Sequence, residues 1–311
     1  MPESQPIPLL EETISRLLES QNPSIRYWAL AGLLGKSPSD PQVLSSRAAI
    51  ATSPPVSRIL SAQHPDGSWV NARHVYSPKY RSTHWTMLLL SELGLDPDNP
   101  GFRLGANFMM VVFQKDQPDY LNRKEHGFGC FWGNWLRYQL YAGSSQDPRV
   151  DEVVAFVCED LKMKGKCRYN ANLPCAWAVI RDLYALALLP EQGRNEQVRQ
   201  AIQAGLAFVL EEYDLLAADY PHEEKIHPTW FKLNFPLFYH TDILFTLRVL
   251  KEFNMLSHPA AVRARQWLLE RRKPDGTWHA SSPFRDRTWS LAPKTEPLDD
   301  WTTLHALSVL C

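Results

Sequence analysis

Two kinds of helical segment alternate along this 311-residue chain, and their alternation constrains the fold more than any other feature. The first kind opens on an Asx-Pro or His-Pro pair. Examples are Asn22-Pro23, Asp40-Pro41, Asn99-Pro100, Asp147-Pro148 and His258-Pro259. A capping side chain accepts from an orphan N–H there, and proline at the first helical position gives up no bond. Apolar residues then recur at i, i+3, i+4 and i+7, as an amphipathic helix requires. Starts at Pro54, Pro100, Pro148 and Arg194 are separated by 46, 48 and 46 residues; after an insertion the next falls at Pro259. The second kind (82–94, 130–143, 175–189, 239–253 and 299–310) is apolar around more of its circumference and is expected to be the more buried.

The unit is therefore an outer amphipathic helix, a turn, a loop and an inner apolar helix. It runs five times after a helix pair at 7–36. This predicts an all-α fold. Alternating inner and outer helices make either an open solenoid or a closed α/α toroid. The few charges on the inner helices favour closure around a central cavity, and residues 299–311 lack the polar surface that caps a solenoid. We expect an α/α toroid of about six helix pairs, formed by residues 54–311, with an N-terminal helical extension over residues 1–53 that packs on the ring.

The outer-to-inner turns repeat a motif, "PDGSW" at 65–69 and "PDGTW" at 274–278. Gly67 and Gly276 suit a helix C-terminus in left-handed conformation, and Asp66 and Asp275 suit the same turn by bonding nearby backbone. Trp69 and Trp278 are expected to cover the corner between neighbouring helices. "QHPDGSW" (63–69) resembles the Gln-x3-Gly-x-Trp repeat of squalene cyclases and other class II terpene cyclases, found loosely in protein prenyltransferase β subunits. "KPDGTW" departs from it, with Arg272 or Lys273 where Gln is usual. The resemblance covers most of residues 54–311 and implies an α/α toroid whose cavity holds an isoprenoid chain.

The N-termini of the inner helices should meet at one mouth of such a ring, where helix dipoles favour anions. This singles out His84, Cys130, Cys175, His240 with Asp242, and Asp299 with Asp300. Thiolate, imidazole and carboxylate at one level form a zinc-type ligand set. "FYHTDILFTLRVL" (238–250) is similar to the zinc-histidine helix of the prenyltransferases, which implies His240 as a ligand. "NLPCAWAVIRDLYAL" (172–186) is similar to their zinc-cysteine segment, which implies Cys175, although Leu173 stands where those enzymes have Asp. Cys130, Asp242 or a neighbouring Asp is then the candidate for the missing ligand. "EPLDDWTTL" (296–304) resembles the Asp-x-Asp-Asp of class II cyclases, with Asp299 and Asp300 as the candidate catalytic acids but Pro297 in the first position; the same pair suits a helix cap. Trp85, Trp132, Trp177, Tyr239 and Trp301, with His84, are the candidate substrate-binding residues, since aromatic rings suit an isoprenoid or a developing carbocation.

Other features are exclusions. The 33 basic and 34 acidic residues give a net charge of −1, without the basic excess of a nucleic-acid binder. The longest apolar runs fall far short of the ~20 residues a bilayer needs. The first 20 residues do not read as a signal peptide. Five cysteines do not read as a disulfide framework, which suggests a reducing, cytoplasmic setting. "RKEHGF" (123–128) and "HEEKIH" (222–227) read as solvated loops, and the insertion 213–235, with Trp230, Phe231 and Phe235, as a lid over the mouth. No phosphate loop, nucleophile elbow or His-Glu-x-x-His helix is present.

The leading reading is a prenyltransferase- or cyclase-like enzyme acting on an isoprenoid or similarly apolar substrate, with zinc at the mouth. Two alternatives stand beside it: a non-catalytic toroid that binds or scaffolds, and an Asp-dependent class II cyclase. The resemblance to prenyltransferase β subunits also implies room for a helical partner protein.

Overall fold

A computed structural model describes residues 7–121, 128–216, 227–295 and 297–311. Most of the two stretches expected as solvated loops, 123–127 and 222–226, lies outside the described residues, as does Glu296. The described chain forms thirteen α-helices: α1 (Ile7–Leu18), α2 (Pro23–Trp28), α3 (Pro41–Ile50), α4 (Pro54–Ser61), α5 (Thr83–Glu92), α6 (Pro100–Leu121), α7 (Gly129–Tyr141), α8 (Pro148–Lys162), α9 (Ala176–Leu186), α10 (Glu196–Ala207), α11 (Ile243–Glu252), α12 (Pro259–Leu269) and α13 (Asp299–Leu310). No strand forms among the described residues, and two isolated bridges are the only β pairing. The fold is all-α.

Sequence and structure agree closely on where helices start. Asn22, Asp40, Asp147 and His258 each cap the helix whose proline follows, accepting from the N–H two residues on. The two classes separate as expected. Every residue of α9 is buried, as is all of α5 except Glu92, whereas α8, α10 and α12 bury one face only. Inner helices touch in chain order, α5 on α7, α7 on α9, α9 on α11 and α11 on α13. Helix α13 then packs on α2 and the π-helical turn that follows it. From α2, Trp28 donates its indole N–H to the carbonyl of Glu92 at the end of α5 (3.0 Å).

The two "PDG[ST]W" turns are built alike. Gly67 and Gly276 adopt φ of +94° and +81°. Asp66 accepts from the Ser68 N–H and Asp275 from the Thr277 N–H. Trp69 and Trp278, both fully buried, donate their indole N–H back to the preceding outer helix, to the carbonyls of Ile59 (2.7 Å) and Leu268 (2.8 Å). Their own backbone N–H groups bond forward to Thr83 and Thr303, near the start of the next inner helix. Each motif thus fixes an outer helix end to an inner helix start. Gln63 also reaches sideways, to the carbonyls of Gly67 and Gly101. In the second turn Lys273, at the position of His64, carries its ammonium to Asp299 on α13 at 3.1 Å.

Candidate functional site

The space between the inner helices is taken by the chain itself. Residues 233–240 are non-helical, and all except Tyr239 are buried. Phe235 stacks on Trp301 of α13, ring centroids 4.2 Å apart. Pro236 and Leu237 face Leu89 of α5, Phe245 and Arg248 of α11 and His305 of α13 across a cavity of about 10 Å³, room for one water. Phe238 packs edge-on to Trp85 of α5, and its carbonyl accepts from Asn134 of α7 (3.1 Å). The His240 carbonyl accepts from Arg181 of α9 (2.6 Å). All five inner helices therefore meet this one segment. Of the insertion expected as a lid, residues 217–226 lie outside the described residues; in the remainder Trp230 packs on Tyr213, Phe231 lies on Trp267 of outer helix α12, and Phe235 stacks on Trp301.

The inner-helix starts do gather. His84 stacks on Phe131, the third residue of α7 (4.2 Å). Trp177 packs against His240 (4.5 Å), and Tyr239 bridges Trp85 and Trp177. Of the expected substrate-binding residues, His84, Trp85, Trp177 and Tyr239 thus belong to one aromatic cluster, whereas Trp301 stacks on Phe235 and lies beside His305. Trp132 touches the cluster through Phe131 (5.3 Å), and its ring also packs on Phe113 of α6 and Phe156 of α8.

The expected zinc ligands are engaged elsewhere or dispersed. His240 precedes α11 rather than opening it, because Asp242 is the cap: one of its oxygens accepts from the Phe245 N–H, the other from the Asn234 backbone and side chain. Burial pushes the Asp242 carboxyl up to about 6 against those bonds. Burial pushes the Cys130 thiol well up, and nearby Cys175 and Cys167 push it further. Burial lowers His240 to about 3, and every charged neighbour acting on it, from His227 and Arg181 to Lys79 and Arg287, lowers it further. Among the described residues, no three His, Cys, Asp or Glu side chains come together as metal ligands would.

The aspartate pair is committed as well. Asp299 accepts from the Ala280 N–H and Lys273; burial raises its carboxyl, but these bonds outweigh that and leave it below the ordinary range. A carboxyl held ionised is the opposite of what an alkene-protonating acid needs. Asp300 pairs with Arg16 of α1 at the side of an open groove of about 860 Å³, away from the inner helices' core.

Two charged groups that sequence reading passed over lie inside. Glu92 of α5 accepts from the Tyr184 hydroxyl and from Arg248 (3.2 Å), while Arg137 lies over the Tyr184 ring (3.6 Å). Burial raises Glu92, and Arg248 with Tyr184 more than offset it, so the carboxylate is ionised. Asp182 of α9 and Asp160 of α8 form a fully buried carboxyl pair. Their carboxyls lie so close over Gly133 and Gly129 of α7 that a β-carbon at either glycine would collide. The available signal was charged residues inside an apolar run, as Arg181 and Asp182 in "AWAVIRDLYAL" (176–186).

No protein-family model and no curated protein matches this chain. Among the described residues no helix is long and apolar enough to cross a membrane.

Proposed function

We propose that this chain is a non-catalytic binding or scaffold protein built as an α/α toroid, a relative in architecture of the terpene cyclases and prenyltransferases. The observation that carries the reading is the occupancy of the space between the inner helices by residues 233–240. An isoprenoid needs several hundred cubic ångströms of apolar pocket, against a residual cavity of about 10 Å³. Emptying it would expose Leu233, Phe235, Leu237 and Phe238, at about 1.5–3 kcal/mol each. The committed state of Asp242, Asp299 and Asp300 supports the same reading, because none is left to serve as ligand or acid. The five free cysteines suit a reducing, cytoplasmic setting.

The experiment is elemental analysis for zinc on untagged protein together with calorimetric titration of farnesyl diphosphate. Neither stoichiometric zinc nor saturable binding is expected. About one zinc per chain, lost in Cys175→Ala and His240→Ala, would overturn the reading in favour of a thiol-activating enzyme.

A further inference from the structure

Among the described residues, one face carries cations with no carboxylate partner and exposed apolar side chains. It is the face onto which the inner helices start. The aromatic cluster that joins His84 to Phe131, Trp177 to His240 and Tyr239 to Trp85 gathers those starts. Helices α5, α7 and α9 begin there with no side-chain cap bond, so their first N–H groups add positive potential.

The loops on this face carry Arg73, Lys79, Arg81, Lys166, Arg168 and Arg287. None of the six has a carboxylate within salt-bridge distance among the described residues. Four lie over rings instead: Lys79 over Tyr239 (4.7 Å), Arg81 over Trp289 (4.7 Å), Arg287 over Tyr80 (4.9 Å) and Arg168 over Phe128 (5.2 Å). The carboxylates of these loops among the described residues are already taken. Asp66 and Asp275 close their own turns, Asp286 pairs with Lys294 and Asp299 with Lys273.

Three of the eight exposed large apolar side chains among the described residues stand among these cations: Val70 (44% exposed), Tyr169 (68%) and Leu173 (37%). Val70 follows Trp69, whose N–H bonds Thr83 at the start of α5; Tyr169 packs on Phe128, which precedes α7; Leu173 lies two residues before Cys175, the residue preceding α9. They thus project from two separate loops at one level.

We propose that this face docks on an anionic lipid surface. Uncompensated Lys and Arg attract acidic head groups, and a few apolar or aromatic side chains on loop tips enter the interfacial layer. A nucleic acid fits less well, because Tyr80, Trp85 and Trp289 are buried and offer no free ring face for base stacking. An acidic polypeptide would match the cations but not the separate apolar tips. The proposal deepens the binding-protein reading and rests on it.

The test is co-sedimentation of the full chain with vesicles of phosphatidylcholine alone or with one-third phosphatidylglycerol. Binding is expected only to the anionic vesicles, and is expected to weaken as salt rises from about 0.1 to about 0.5 M. The pair Lys79→Glu and Arg287→Glu should lower it about tenfold or more, and the pair Tyr169→Ser and Leu173→Ser should lower it with an unchanged circular dichroism spectrum. No sedimentation, equal binding to both vesicles, indifference to the charge reversals, or stronger capture by polyglutamate would each overturn the lipid assignment. If vesicles fail while zinc and prenyl diphosphate also fail to bind, the binding-protein reading survives without this partner; stoichiometric zinc would remove the reading itself.

Discussion

The ring of Phe235 lies nearly parallel to that of Trp301, 12° between planes and 4.2 Å between centroids. One belongs to the segment inside the helices, the other to the first turn of α13, so the stack fastens the interior to the last inner helix. Phe235→Ala should destabilise the protein by about 3–5 kcal/mol, as large-to-small changes at buried aromatics do. Chemical denaturation checks this. A loss under about 1 kcal/mol would mean that the segment is not packed as described.

The two tryptophan turns do equivalent work and should respond alike. Trp69→Phe and Trp278→Phe each keep a ring but lose the indole N–H to a helix-end carbonyl, leaving it without that donor. Each should cost about 1–3 kcal/mol. Gln63→Ala should cost about 1 kcal/mol through its two carbonyl contacts. Thermal unfolding of the single variants tests the pairing, and a large cost at one turn with none at the other would contradict it.

Asp182 supplies a pH signature. Burial first, and then neighbouring Asp160, raise its carboxyl well above the ordinary range, so the folded state keeps a proton that the unfolded state releases. Its contribution is fully present below the unfolded carboxylate range, near pH 4, and is lost as pH rises toward the folded value. Asp182→Asn mimics the protonated form at every pH. The variant's melting temperature should therefore gain on the wild type between about pH 4 and pH 8. A difference that stays constant or shrinks over that range would show that Asp182 is ionised in the folded protein.

Removing the aspartates once expected to be catalytic should have structural consequences only. Asp299→Asn keeps an oxygen for the Ala280 N–H and loses the charge facing Lys273, which is partly exposed. A cost of about 1 kcal/mol or less is expected. Asp300→Asn loses an ion pair exposed on both sides, and no measurable change in unfolding should follow. A loss of several kcal/mol in either would mean that the carboxylate meets an unrecognised partner.

The parts legible in sequence were those set by local chemistry. Asx-Pro caps, left-handed glycines and helix period depend on a few neighbouring residues, and Asn22, Asp147, Gly67 and Gly276 behave as their local sequence dictates. The path of residues 233–240 is set by distant partners, Asn134, Arg181 and Trp301, so nothing local in "LNFPLFYH" shows that it runs between the helices. His240 was taken as part of an inner helix because apolar periodicity continues through it. The cap at Asp242 starts α11 three residues later and leaves His240 in the extended segment. Asp299 and Asp300 matched a motif by spacing, but Lys273, Ala280 and Arg16 decide their state.

Native-state hydrogen exchange of the Asn234 and Phe235 amides tests the occupied interior most directly. They donate to Asp242 and to the Ser281 carbonyl inside the structure. Both are predicted to exchange as slowly as the amides of α9 and α11, through global unfolding and with the same denaturant dependence. Exchange at the rate of the surface turn around Gly143 and Ser144 would show that the segment leaves the interior readily, and that the space between the helices is open to a ligand.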